Sequence, residues 1–305
     1  MSKTTVEDGG AVSAAPAQSS QSFAPGLYLV PTPIGNLQDI TLRAIAVLKA
    51  ATLVAAEDTR HSRILLDHLG IRAPKLMSLY DQVEERKAGT IIEEVRQGGV
   101  VALISDAGSP LINDPGYKLV SLCLQSHIAV IPLPGPCALI TALEAAALPT
   151  DAFTFKGFFP VKEQELRACV AEVAERPETA VFYESPRRVL KTCEILAELL
   201  PGRQICLCRE LTKSFESFYR MSSEELPDFL RADPKRTLGE FVVVIAGASH
   251  SAGGVEPEIK EALAMLLKTT PLKAAVAALS LCSKARPNEL YALALTLKQS
   301  AGKES

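Results

Sequence analysis

The sequence predicts two α/β domains followed by a small helical appendage, and three observations support this fold class. Three apolar runs, at residues 27–36, 101–116 and 129–143, each end in a loop rich in Gly and Pro that leads into a helix-like stretch. The same strand and helix pattern recurs in the second half of the chain. The length of 305 residues, with 48% apolar and 22% charged residues, is enough for two globular domains of ordinary size.

The three runs are typical of strands buried on both faces of a parallel sheet. They are short, rich in Val, Leu and Ile, and lack the alternation of a half-exposed strand. Ligands of open α/β sheets bind beyond the carboxyl ends of the strands. We therefore expect the loops PTPIGN, SDAGSP and LPGPCA to converge on one small molecule, with Gly35, Gly108 and Gly135 allowing close approach of the backbone. The alternative for each loop is a tight turn with a helix cap.

The loops match neither of the usual phosphate-binding motifs. Neither G-x-x-x-x-G-K-[ST] nor G-x-G-x-x-G is present, and prolines stand where those motifs use backbone N–H groups. Asp106 and Asp114 in the second loop favour a positive group or a ribose hydroxyl pair over a phosphate. A neutral or cationic ligand therefore fits these loops better.

Further elements follow from the pattern along the chain. Asp39 is expected to cap a helix with apolar positions at Leu42, Ile45 and Leu48. Residues 51–60 are expected to form a strand and a loop, and the charged run at 81–87 is expected to begin a helix. The strands of the second half are expected to form a mixed sheet in which Cys206 and Cys208 pack. The aromatic set at 153–159 either stacks a splayed base or fills a core.

The expected organisation has four parts. The limits are a disordered leader over 1–25, an N-terminal α/β domain over 26–149, a C-terminal α/β domain over 150–248 and a helix-turn-helix-like appendage over 255–299. In the appendage, two helical runs are expected to flank the segment LCSKARPNE, with Lys273, Lys284, Arg286 and Lys298 exposed.

Composition narrows the function classes. The formal net charge of −3 gives no global positive field for nucleic acid, so any such contact depends on local basic patches. The seven cysteines are scattered without a C-x-x-C pair, which indicates a reducing cytoplasm. The sequence has no run of 18 apolar residues without charged residues or proline clusters, so no membrane span is expected. The histidines have no partners at metal-ligand spacing, so no metal is expected.

Seven motifs, in this order, resemble the tetrapyrrole-methylase family. They are PTPIGNLQDITLRA, AEDTR, SDAGSPLINDPG, PLPGPCALITAL, FYESPRR, RELTKSFE and GEFVVVIAG, and the resemblance extends from Leu27 to about Lys298. It is greatest to the ribosomal branch, whose members transfer a methyl group from S-adenosylmethionine to the 2'-hydroxyl of a cytidine in 16S rRNA. The resemblance implies two α/β domains with S-adenosylmethionine in the cleft between them, a homodimer, and 16S rRNA in the small ribosomal subunit as partner.

The resemblance also implies the site residues. The cofactor-binding residues would be Pro33, Ile34, Gly35, Asp106, Gly108, Ser109, Cys137 and Ala138 from the three loops, and Tyr183, Gly239 and Glu240 from the second domain. Cys137 stands where related sequences often carry Ser, which keeps the size but loses a good hydroxyl donor.

Methyl transfer from a sulfonium is an in-line displacement, so the protein must chiefly align the attacking oxygen with the methyl carbon. A base that takes the hydroxyl proton would add roughly 10²–10⁴-fold. The expected catalytic residues are Glu57, Asp58, Arg60 and Glu184, and Glu240 is a further candidate for the base.

Two basic clusters could hold RNA phosphates. They comprise Arg60, His61 and Arg63 after the motif AED, and Arg187 and Arg188 after FYESP. The alternative for both is a solvated surface or an internal ion pair. Two other functions stay open at this stage: C-methylation of a tetrapyrrole intermediate, and a non-catalytic ribosome-binding factor that retains the cofactor pocket.

Overall fold

The computed structural model describes residues 22–72, 75–80, 84–248, 257–283, 285 and 287–301. Backbone contacts divide the chain into two compact units, Met1–Thr141 with Leu211–Ser214, and Ala142–Glu210 with Phe215–Ser305. The chain therefore passes between the units three times, and we call Leu211–Ser214 the returning segment. Most of the expected leader, residues 1–21, lies outside the described residues. The domain limits expected from the sequence stay a prediction.

The first unit contains a five-stranded sheet in which every strand pair is parallel. The strands are β1 (Gly26–Val30), β2 (Leu53–Ala56), β3 (Leu76–Ser78), β4 (Val100–Ile104) and β5 (Val130–Pro132), in the order β3-β2-β4-β1-β5. All residues of β2 and β4 are buried, as expected for a sheet covered on both faces. The predicted parallel sheet is confirmed.

Helices cover both faces of this sheet. They are α1 (Leu42–Ala50), α2 (Thr59–His68), α3 (Glu84–Arg96) and α4 (Tyr117–Gln125). The helix α5 (Ala138–Ala146) follows β5 and continues from the first unit into the second. Alternate residues of β4 divide between the two faces: Ala102 packs in one hydrophobic cluster with residues of α1 and α2, and Val101 packs in the other with residues of α3 and α4. Helices therefore pack against both faces of β4, which fixes the position of its carboxyl end.

The predicted cap of α1 is wrong. Asp39 ends a single 3₁₀ turn, and the cap is Thr41, whose hydroxyl accepts a hydrogen bond from the Ala44 N–H at 3.0 Å. Ile40 between them is extended, with ψ 135°, so the turn cannot continue into the helix. The buried face of α1 consequently runs through Ala44 and Val47, while Leu42 is 86% exposed.

The second unit contains a mixed five-stranded sheet, as predicted. Its strands are β6 (Phe153–Phe158), β7 (Thr179–Glu184), β8 (Gln204–Arg209), β9 (Ser217–Ser222) and β10 (Phe241–Ile245), in the order β6-β7-β10-β8-β9. Only β6 and β7 are parallel, and the other pairs are antiparallel. The helices α6 (Glu163–Ala174), α7 (Val189–Leu199) and α8 (Leu226–Arg231) share one core with this sheet. Cys206 and Cys208 are both buried in the sheet, with their sulfurs 3.6 Å apart.

The appendage contains three helices among the described residues: two flank the segment LCSKARPNE, as predicted, and a third precedes them. They are α9 (Pro257–Leu266), α10 (Leu272–Cys282) and α11 (Pro287–Ala301), which pack around Leu263, Leu279 and Leu290. Pro271 lies at the start of α10, where a proline cannot continue a helix from before it. Lys273 and Lys298 are exposed as expected, and Lys284 and Arg286 lie outside the described residues. No helix in the described part of the chain combines the length and apolarity needed to cross a membrane.

Candidate functional site

The three Gly/Pro loops follow three neighbouring strands, β4, β1 and β5, at their carboxyl ends. Thr32 and Gly108 exchange two backbone hydrogen bonds of 2.9 Å, which join the first loop to the second. The Ser109 hydroxyl donates to the Pro136 carbonyl at 3.0 Å, which joins the second loop to the third. The structure thus brings the three loops into contact with one another, because parallel neighbours end at the same edge of a sheet.

The glycines of these loops are explained by packing within the chain. A Cβ on Gly35 would lie 2.5 Å from Lys213 Cγ and 2.8 Å from Thr212 Oγ1, both in the returning segment. A Cβ on Gly135 would lie 2.6 Å from Pro31 Cβ. Gly108 has φ +81°, a conformation that side chains rarely adopt. Close approach of a ligand is therefore not needed to account for glycine at these positions.

Three carboxyl groups belong to this edge of the first sheet, and we call Glu57, Asp106 and Asp114 the carboxylate triad. Glu57 follows β2 directly, Asp106 comes two residues after β4, and Asp114 lies later in the second loop. Burial raises the pKa of Asp114 to about 6, and the negative charges of Glu57 and Asp106 add to the shift, against a hydrogen bond with Ser105. Asp106 and Asp114 form no ion pair with any described residue. The triad therefore favours a positively charged ligand.

Asp58 differs from the triad because Arg60 holds it. Asp58 is the N-cap of α2 and accepts from the Arg60 backbone N–H at 2.8 Å, while the Arg60 guanidinium donates to both carboxylate oxygens at 3.2 and 2.8 Å. The hydrogen bonds from Arg60 lower the pKa of Asp58 to about 2. The Asp58 N–H in turn donates to Asp106 Oδ1 at 3.1 Å. Asp58 therefore positions Asp106 through its backbone N–H and is a poor proton acceptor. Arg60 forms the intramolecular ion pair that was the alternative to an RNA contact.

The site residues expected in the second unit lie at one edge of its sheet. The antiparallel register pairs Phe241 with Glu184 and Val242 with Tyr183, so Gly239 and Glu240, just before β10, lie beside the end of β7. Glu210 fixes this edge: its carboxylate accepts the Glu240 N–H at 2.9 Å, and its own N–H donates to the Glu240 carbonyl at 2.9 Å. Gly239 has φ +91°, and a Cβ there would lie 2.5 Å from Glu210 Cγ.

Glu184 is an internal anchor. Its side chain is fully buried, and it accepts hydrogen bonds from the Ser185 N–H and the Thr192 hydroxyl, each at 2.6 Å. It also pairs with the Arg188 guanidinium at 2.7 Å. Arg188 donates further to the Phe159 and Pro160 carbonyls at 3.0 and 3.2 Å. These contacts fix the start of α7 against the end of β6, and a catalytic role for Glu184 stays a prediction.

The remaining expected residues have mainly structural contacts. Cys137 is half-buried and its carbonyl accepts from the N–H and hydroxyl of Thr141, each at 3.0 Å, at the start of α5. Of the aromatic set, Phe159 stacks on Phe182 at 4.0 Å between ring centroids, which favours the core alternative for that residue. No group of three or more His, Cys, Asp or Glu side chains within the described ranges is arranged to hold a metal ion.

Sequence reasoning missed two features of this site. The sequence shows the charge of Asp114, but its raised pKa results from burial and from the charge of Glu57, which is far away in the chain, and no local pattern indicates either. The packing of the returning segment on Gly35 was also missed, although the motif RELTKSFE that contains this segment belonged to the resemblance.

The fold and the loops of this site define a class of protein. The family model described as Tetrapyrrole (Corrin/Porphyrin) Methylases matches residues 26–227. Among solved structures, the methyltransferase CobJ is 20% identical with a TM-score of 0.54, covering 73% of this chain and 95% of that chain. The cobalt precorrin-4 methyltransferase CbiF is 18% identical with a TM-score of 0.53, covering 72% and 94%. These likenesses show the fold, and the chain belongs to the tetrapyrrole methylase family.

Within that family, several curated relatives share one name, Ribosomal RNA small subunit methyltransferase I. The relative from Escherichia coli O157:H7 is 44% identical over 279 residues, which cover 91% of this chain and 97% of the relative. The relative from Pseudomonas aeruginosa is 43% identical and covers 88% and 96%, and that from Mesorhizobium japonicum is 42% identical and covers 93% and 96%. The expected resemblance is thus confirmed, and it extends over nearly the whole chain.

Proposed function

We propose that this chain uses S-adenosylmethionine to methylate small-subunit ribosomal RNA, and that the acceptor is the 2'-hydroxyl of a cytidine in 16S rRNA. The observation that carries the proposal is identity of 42–44% along nearly the full length of relatives that share one name. We further propose that the substrate is the assembled small subunit, that the chain acts as a homodimer, and that it works in the cytoplasm. The net charge of −3 gives little electrostatic attraction to RNA, so we expect the folded structure of the assembled subunit, rather than charge, to present the target nucleotide.

The carboxylate triad supports a cationic methyl donor. When bound, S-adenosylmethionine supplies an activated methyl group on a positively charged sulfur. Asp106 is available to face such a charge, since it forms no ion pair with a described residue, and opposite charge favours the ionised carboxylate. The loop residues Pro33, Ile34, Gly35, Gly108, Ser109, Cys137 and Ala138 are proposed as the cofactor wall, with Tyr183, Gly239 and Glu240 from the second unit.

Within the triad, we assign the proton acceptor to Asp114. A general base works best when its pKa is near the working pH, and the pKa of Asp114, about 6, meets that condition better than the pKa of Asp58, about 2. Burial, together with the charges of Glu57 and Asp106, raises the pKa of Asp114, whereas the hydrogen bonds from Arg60 keep Asp58 ionised. The chain's own work is then to align the ribose hydroxyl and to remove its proton, which contributes roughly 10²–10⁴-fold.

The decisive experiment maps ribose methylation on 16S rRNA from cells with and without this protein. The proposal predicts that one cytidine loses its 2'-O-methyl group when the protein is absent. Purified protein with labelled S-adenosylmethionine should then restore the mark on small subunits lacking it. Label on a tetrapyrrole such as uroporphyrinogen, with none on RNA, would assign the protein to C-methylation instead. Binding to subunits without any binding of S-adenosylmethionine in calorimetry would indicate a non-catalytic factor.

A further inference from the structure

Two large apolar side chains are exposed at the edge of the second sheet that carries Gly239 and Glu240. Phe215 is 71% exposed and Leu238 is 57% exposed. Phe215 precedes β9 and Leu238 precedes β10, and the register places both beside Arg209, the last residue of β8, because Arg209 pairs with Ser217 and with Phe241. Both side chains therefore stand at the same end of the sheet as the expected cofactor residues.

The backbone under these side chains is fixed. Arg209 Nε donates to the Leu238 carbonyl at 2.5 Å, and its Nη1 donates to the Phe215 carbonyl at 3.2 Å. Two hydrogen bonds hold the same two loops together: the Glu210 N–H donates to the Glu240 carbonyl, and the Glu240 N–H donates to the Glu210 carboxylate. One guanidinium thus ties both loops to the end of β8. A side chain presented on a fixed backbone loses little conformational entropy when a ligand binds it.

A positive charge stands at the same edge. Arg187 lies three residues after the end of β7, is exposed, and has no hydrogen bond or ion pair with any described residue. Its neighbour Arg188 is instead engaged by Glu184 and two carbonyls. β7 and β8 are separated by β10 alone, so Arg187 and Phe215 follow strands roughly 10 Å apart at the usual spacing of about 4.8 Å.

We propose that this edge binds single-stranded RNA, with a splayed nucleobase stacked on Phe215, its rim packed on Leu238, and an adjacent phosphate held by Arg187. The inference rests on the proposed function, and it names the residues of the second unit that hold the nucleotide strand. An exposed aromatic ring beside an exposed arginine is how proteins bind unpaired RNA, because every base has a face to stack and every linkage has a charge. A 2'-oxygen can be methylated only when its nucleotide is drawn out of the folded RNA.

The stacking is tested by Phe215→Ala and Phe215→Tyr in the full chain, with small ribosomal subunits lacking the mark as substrate. Loss of one stacked base predicts that Phe215→Ala raises KM or the RNA dissociation constant about 5- to 100-fold, while Phe215→Tyr stays within about threefold. The matched control is Leu124→Ala, which removes another large exposed apolar side chain, 58% exposed, near the end of α4. The dissociation constant for S-adenosylmethionine should be unchanged in all three variants.

The phosphate contact is tested by the salt dependence of RNA binding. Arg187→Ala should weaken binding and reduce the slope of log affinity against log salt by about 1, whereas Arg96→Ala, at the end of α3, should leave the slope unchanged. The inference is overturned if Phe215→Ala behaves like Leu124→Ala, or if Phe215→Ala changes the oligomeric state, which would make Phe215 part of a contact between copies. Failure of the wild-type protein to methylate RNA would reject the proposed function instead. RNA binding by the same variants would still test whether this edge of the sheet binds RNA.

Discussion

Replacing Asp114 with Asn should stabilise the protein and slow methyl transfer. Burial raises the pKa of Asp114 from 3.8 to about 6, so the ionised carboxylate is disfavoured in the folded state. At about 1.4 kcal/mol per pH unit, the shift sets an upper limit of about 3 kcal/mol on the penalty. The group is only half-buried, so solvent screening reduces the expected gain to about 1–2 kcal/mol.

Proton linkage determines how the contribution of Asp114 to stability changes with pH. Because the folded pKa lies above the unfolded one, the folded state binds more protons between pH 4 and 6, and this group's contribution to stability falls as pH rises through that window. Below about pH 4 Asp114 becomes protonated in the unfolded as well as the folded protein, and the penalty disappears. Asp114→Asn should therefore match the wild type near pH 4 and exceed it at pH 7.5.

The assay is the thermal or urea unfolding midpoint at several pH values, with single-turnover methylation measured on the same samples. Asp67→Asn on the exposed surface of α2 is the control and should change neither quantity. Asp114→Asn should raise the midpoint at pH 7.5 and lower the transfer rate roughly 10²–10⁴-fold. A variant that unfolds earlier than the wild type at pH 7.5 would refute the assignment of a destabilising carboxylate, and an unchanged rate would refute its role as the base.

Three further predictions concern the packing and the charges of the site. Gly35→Ala places a Cβ 2.5 Å from the returning segment and should lower the free energy of unfolding by about 1–3 kcal/mol. The control Gly89→Ala, inside α3 with nothing within 4 Å of the added Cβ, should raise the free energy of unfolding by about 0.5–1 kcal/mol. Equal midpoints of the two variants in thermal unfolding would contradict both expectations. Glu184→Gln should cost about 2–4 kcal/mol in urea unfolding because it breaks a buried ion pair, and a variant of normal stability that loses activity would make Glu184 catalytic after all. Arg60→Ala should return the pKa of Asp58 from about 2 toward 3.8 in an NMR titration, while the acid limb of the pH–rate profile stays in place because Asp114 sets it. An acid limb that moves with the pKa of Asp58 would make Asp58 the base instead.

Local sequence patterns were sufficient for the sheets but not for the contacts at the site. The strands β2 and β4 are apolar throughout because both faces are covered, and that pattern is visible in the sequence. The cap of α1 was misplaced because Ile40 adopts an extended conformation that composition does not reveal. The different roles of Arg187 and Arg188 depend on carbonyl groups almost thirty residues away, at Phe159 and Pro160. Contacts across such distances in the chain are decided by tertiary packing.

The returning segment is synthesised after the rest of the first unit, so the first unit must begin to fold without it. A ribosome making this protein releases β1 to β5 well before Leu211–Ser214 leave the exit tunnel, so the first sheet can assemble while Gly35 still lacks its neighbours. The first unit is completed only after β6, β7 and β8 of the second have been made. Nascent chains stalled before residue 211 should hold a first unit that proteases attack more readily than chains stalled well beyond it.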